Sequence, residues 1–130
     1  MKIVAGIFLI IHGLVHLLYF GHALRYFELQ PGMAWPDGSW AFSKVEGVKP
    51  ARRLAGILCV MAALVFTTSG ILLLANVGAW RKVVLVAAGF SSLIYILFWD
   101  GKIQKLNDKG GICILINLAI FVVAYVVQWP

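Results

Sequence analysis

Four apolar stretches alternate with polar connections along the chain, at residues 3–24, 54–75, 83–99 and 112–129. None shows the period of two that a half-buried strand requires, so a barrel of short alternating strands is excluded. A helix needs roughly 20 apolar residues to cross about 30 Å of hydrocarbon. In lipid its backbone polar groups must be satisfied within the segment itself. The pattern therefore predicts an all-α fold, a four-helix transmembrane bundle with a long interfacial loop between helices 1 and 2. Residues 1–130 then form a single integral membrane domain. The first stretch is too long for a secretory leader and no small-x-small cleavage signal follows it, so it is read as a retained span.

The connections differ in kind. Asn76-Val77-Gly78-Ala79 is a short turn and makes the second and third helices antiparallel neighbours. Residues 100–111 join the third to the fourth. The long loop, residues 25–53, carries the turn dipeptides Pro31-Gly32 and Asp37-Gly38. Its Trp35, Trp40 and Phe42 suit a membrane interface, and a short interfacial helix is predicted near residues 39–45.

Polar positions within the spans are few and patterned. At 100° per residue, His12, His16, Tyr19, Ala23 and Tyr26 form a narrow stripe on the first helix, with His22 beside it. Gly56, Ala63, Thr67 and Gly70 form a small-residue stripe on the second, which predicts close helix packing, and Cys59 lies near that face. The third helix carries Ser91, Ser92 and Tyr95, and the fourth carries Cys113 and Asn117.

Composition and charge sharpen the picture. The chain is 62% hydrophobic and 12% charged, against about 45–50% and about 25% for a soluble domain. Such a surface would aggregate in water. The net charge is +6, and the cations fall at the ends and connections of the apolar stretches, which argues against a nucleic-acid partner. Lys2, Arg81 and Lys82 lie on one side. Arg25, Lys44, Lys49, Arg52, Arg53, Lys102, Lys105 and Lys109 lie on the other. The positive-inside rule then makes this a multi-pass protein of the cell membrane, with both termini outside and residues 25–53 and 100–111 cytoplasmic.

With that orientation the polar side chains of all four helices fall near one level. The expected ligand-binding set is His12, His16, Tyr19, His22, Cys59, Tyr95, Asp100 and Asn117, lining a cavity that opens inward, since polar groups converging in a mostly apolar pocket are the default site. The alternative for the histidines is hydrogen bonding between helices. His12 and His16, four apart, have the spacing of a shared metal site, but the spans contain no Asp or Glu and no other helix carries a histidine. No metal site is expected. Haem would need a ligand of another type or a second subunit. Cys59 and Cys113 lie in apolar runs without a C-x-x-C, so they read as buried thiols rather than a disulfide framework. No phosphate loop, nucleophile elbow or acid pair is present, and the absence of Arg within the spans excludes a voltage sensor.

Three strings stand out: His12-Gly13-Leu14-Val15-His16, Trp35-Pro36-Asp37-Gly38-Ser39-Trp40-Ala41-Phe42-Ser43 and Phe98-Trp99-Asp100-Gly101-Lys102. With the four-span layout they resemble a group of small prokaryotic integral membrane proteins of unestablished activity. The layout alone is also similar to the DoxX-like four-helix membrane proteins, some of which are linked to quinone-dependent oxidation. The resemblance carries no functional residues across. The sequence thus favours binding of a small hydrophobic or lipid-like molecule. The alternatives are a histidine-based redox or isomerase enzyme of the membrane, and a small structural or oligomerising subunit, with a homodimer as one arrangement. Membrane lipids are the expected partners. No resident cofactor is expected, quinone, haem and metal being the ones considered.

Overall fold

The structure, a computed structural model, describes residues 1–42 and 47–130. Four helices follow one another: α1 (Lys2–Ala23), α2 (Val48–Leu74), α3 (Trp80–Leu97) and α4 (Gly111–Phe121), the last continuing as a π-helical segment (Val122–Val127). A short 3-10 turn, Leu106–Lys109, precedes α4, and no strand occurs among the described residues. The first three helices are long and apolar enough to cross a membrane. The fourth, Gly111–Val127, is apolar but shorter.

The boundaries depart from the sequence expectation in three places. α2 begins at Val48, not near Leu54. Its charged start is tolerated because Pro50 falls in the first turn, where a missing N–H removes no helical hydrogen bond. α3 begins at Trp80 and stops at Leu97, so Trp99 lies beyond it. The helix expected near residues 39–45 falls partly outside the described residues, and Trp40 to Phe42 form a turn.

Successive helices run antiparallel. At one end Lys2 Nζ donates to Asn76 Oδ1 at 2.8 Å, and Arg81 donates to the Gln128 carbonyl. At the other end residues 24–42 meet residues 98–110. α1 packs most intimately on α2. A Cβ on Gly70 would stand 2.7 Å from the Gly6 carbonyl oxygen, and one on Gly13 would stand 2.9 Å from Phe66 Cβ. The small stripe of α2 is thus met by a glycine pair on α1, and the two backbones approach as far as atoms allow. α2 packs on α3 and α3 on α4, while α1 and α4 share no extended packing.

The interior is layered. Toward the termini lies an apolar cluster with Leu9, Phe66, Leu73, Val84 and Ile120. Toward the loops lies a second, with Tyr19, Trp35, Cys59, Tyr95, Phe98 and Cys113. His12, His16, Ser91 and Asn117, all buried, fall between. Outward faces carry large apolar residues such as Ile11, Leu14, Leu64, Val86, Leu93 and Leu115. This inverts the usual arrangement of a soluble domain and matches lipid, where a polar group is cheapest when it faces another helix.

Candidate functional site

The middle layer is a closed hydrogen-bond circuit through three helices. Asn117 on α4 is its junction. Its amide oxygen lies 2.9 Å from His12 Nε2, so that nitrogen donates. Its amide nitrogen donates to Ser91 Oγ at 2.9 Å and to Ser92 Oγ at 3.2 Å. His16 Nδ1 lies 3.0 Å from the His12 carbonyl and must donate to it. His16 Nε2 then accepts from Ser91 Oγ at 2.6 Å. The partners fix both tautomers: the proton is on Nε2 in His12 and on Nδ1 in His16. Phe66 packs edge-on to His12, with ring centroids 4.7 Å apart, and tilted against His16 at 5.3 Å. A circuit in which each donor has an acceptor fixes the relative positions of the helices it joins.

Tyr19 and Tyr95 stand one layer nearer the loops, with ring centroids 5.0 Å apart and nearly perpendicular. Trp35 from the loop stacks edge-on against Tyr19 at 5.3 Å. Cys59 and Cys113 are buried, unpaired thiols in the same cluster. His22 lies at the end of α1, under the loop. Arg25 Nη1 donates to its Nε2 at 2.8 Å, and the Leu29 backbone N–H faces its Nδ1 at 3.3 Å. Asp100 is outside the bundle. It pairs with Lys109 at 3.0 Å and accepts from the Lys102 backbone N–H at 2.9 Å. Burial pushes its carboxyl up, but the Lys102 N–H and the Lys109 ammonium outweigh that and hold it below the usual value.

The eight residues singled out by sequence therefore occupy separate levels. His12, His16 and Asn117 share one network, Tyr19, Cys59 and Tyr95 share one cluster, and His22 and Asp100 belong to the loop end. Three cavities stand out among the described residues. The first, of about 350 Å³, lies between α1 and α4, walled by Val4, Phe8, Leu9, Leu73, Val84, Ile116, Ala119, Ile120 and Val123, with Trp80 and Trp129 toward the termini. The His12–Asn117 bridge lies one helical turn from Phe8, whose ring stacks on His12, and next to Ile116 in sequence, but does not line this cleft. A second, of about 240 Å³, sits at the loop end and includes Asp100. A third, of about 580 Å³, is a groove between the end of α3 and the start of α4 and includes Tyr95. His12, His16, Tyr19, His22, Cys59 and Asn117 line none of these three.

The connection between α1 and α2 holds residues that sequence reasoning missed. Ser39 Oγ donates to the Leu97 carbonyl at 2.6 Å, Trp40 Nε1 to Ile96 at 2.7 Å, and the Trp40 backbone N–H to Trp99 at 2.9 Å. The last carbonyls of a helix lack partners of their own, so this loop acts as the C-terminal cap of α3. Asp37 ties the loop to α2 and to the residues just past the end of α1. Arg52 grips it bidentately at 2.7 and 2.6 Å, and Arg25 adds a contact at 2.9 Å. The available signal was a lone acid in a turn flanked by Arg25 and Arg52.

Burial pushes the Asp37 carboxyl up, but the guanidinium groups of Arg52 and Arg25 overcome this and hold it below the usual carboxylate range. Its stabilising effect is therefore present above the unfolded-state value and lost as pH falls through the depressed folded value. Asp37→Asn is expected to cost about 1–2 kcal/mol, moderated by solvent screening of a partly exposed cluster. Thermal unfolding in detergent should show the deficit at pH 7 and its disappearance at strongly acid pH.

No protein-family model, no curated protein and no solved structure matches this chain.

Proposed function

We propose that the protein is an integral membrane protein of the cell membrane that holds a small hydrophobic or lipid-like molecule within its bundle, in the cleft between α1 and α4. The observation that carries this reading is the cleft itself. Its volume of about 350 Å³ falls in the range of small-molecule sites, its walls come from all four helices, and it lies on the one seam where neighbouring helices do not pack closely. In a bilayer that seam faces acyl chains, so an apolar guest enters sideways without crossing water. Trp80 and Trp129 bring indole N–H groups to the cleft wall, donors for a carbonyl or hydroxyl head on the guest, and the His12–Asn117 bridge lies one helical turn from Phe8. In the same reading both termini are outside and the lysine-rich loop end is cytoplasmic, supported by eight cations at that end against three at the other.

Native mass spectrometry of the protein released from membranes tests this. A bound species of lipid-like mass is expected. Ala119 is exposed on the cleft wall, so Ala119→Trp should fill the space and abolish the adduct while helix content and melting stay unchanged. An adduct retained in full by that variant, or none on the parent protein, rejects the reading.

A further inference from the structure

We infer that the cavity at the loop end, about 240 Å³ and remote from the α1–α4 cleft, is a binding site for a phosphate group. It is walled by Trp35, Gly38, Phe98, Asp100, Lys105 and Lys109. Trp35 is 4% exposed, and its indole N–H has no hydrogen-bond partner among the described residues. An indole N–H is a donor only, and a buried donor left unmatched costs about 1–3 kcal/mol. The group that completes it must bring an acceptor.

The charges around it point the same way. Asp100 is already committed, one oxygen to the Lys102 backbone N–H and the other to Lys109. Lys109 is committed as well, donating to the carbonyls of Lys102 and Gln104 besides its ion pair. Among the described residues Lys105 makes no hydrogen bond or ion pair. Among its described lining residues the cavity therefore holds two ammonium groups against one carboxylate, and besides the neutral Gln104 amide the groups left over are the Trp35 indole and the Lys105 ammonium, both donors. An anion with several oxygens meets both at once, and lysine is an established phosphate partner. The cavity lies where the chain leaves the apolar helices, which is the level of lipid headgroups in a bilayer. The phosphate can thus come from a phospholipid headgroup or from a soluble phosphate, and the same donors serve both.

Indole N–H resonances of the full-length protein, labelled with ¹⁵N at its five tryptophans in a nonionic detergent, provide the test. Trp35→Phe identifies the Trp35 signal by its loss. Inorganic phosphate in one arm, and short-chain phosphatidylglycerol in the other, are titrated in, with sodium chloride as the ionic control. A saturable shift of the Trp35 signal is expected, with an affinity about tenfold weaker in Lys105→Gln, the loss of one charge-assisted contact. The four other indole signals should stay in place and report an intact fold. A response to both probes assigns the site to any phosphate, and a response to the lipid alone assigns it to a headgroup. No shift of Trp35 with either probe, or an equal shift in Lys105→Gln, overturns the proposal.

Discussion

Gly70→Leu is expected to cost 3 kcal/mol or more (order of magnitude, from overpacking of a closed core), the largest effect of any single substitution considered. A Cβ at this position meets the Gly6 carbonyl oxygen at 2.7 Å and Ile10 Cγ1 at 2.7 Å. The first of these is backbone, so no rotamer change relieves it and α1 must move away from α2. Because α1 also carries His12 and His16, the displacement pulls the polar circuit apart as well. Gly89 supplies the control. It lies in α3 with open space where a Cβ would stand, and Gly89→Ala should be neutral or mildly stabilising through helix propensity. Thermal unfolding of both variants in the same detergent checks the pair, and equal melting temperatures would show that the α1–α2 seam is looser than described.

Asn117→Leu is expected to cost about 1–3 kcal/mol in spite of being nearly isosteric. It removes the acceptor of His12 and the donor to Ser91 and Ser92, and unmatched buried groups account for most of the cost. Hydrogen bonds between membrane helices are individually modest, so the prediction rests on three being lost together. The double variant His12→Leu with Asn117→Leu should recover part of the stability, since replacing both partners leaves neither orphaned. Circular dichroism melts of the two variants measure this. A double variant no more stable than the single would place the cost elsewhere than in the orphaned imidazole.

The helices and their order were legible because apolar runs of this length leave the backbone few choices. The small stripe of α2 was also readable, whereas Gly6 and Gly13 on α1 were not singled out. Glycines in an apolar run become contact points only once the partner helix is known. His12, His16 and Asn117 were found as polar side chains that must face inward, but spacing alone did not tell a cavity wall from a hydrogen-bonded circuit. That depends on Ser91 and Asn117 arriving at the same height from different helices. Trp40 and Ser39 were visible as part of a conspicuous string, and the capping they perform was not. Their acceptors lie 56 and 58 residues further on, beyond any local rule. Asp100, expected at the inner mouth of the bundle, lies at the loop end, and its pairing with Lys109, nine residues on, was not legible in the pattern.

The capping of α3 by an earlier loop bears on how the chain is made. Synthesis delivers Ser39 and Trp40 well before the carbonyls of Ile96 and Leu97 that they serve. At about 5–20 residues per second the interval is about 3–12 s. The donors, and the Arg52 that anchors their loop through Asp37, are therefore already outside the ribosome when α3 ends. The last carbonyls of the third helix are thus served by donors that precede them in synthesis.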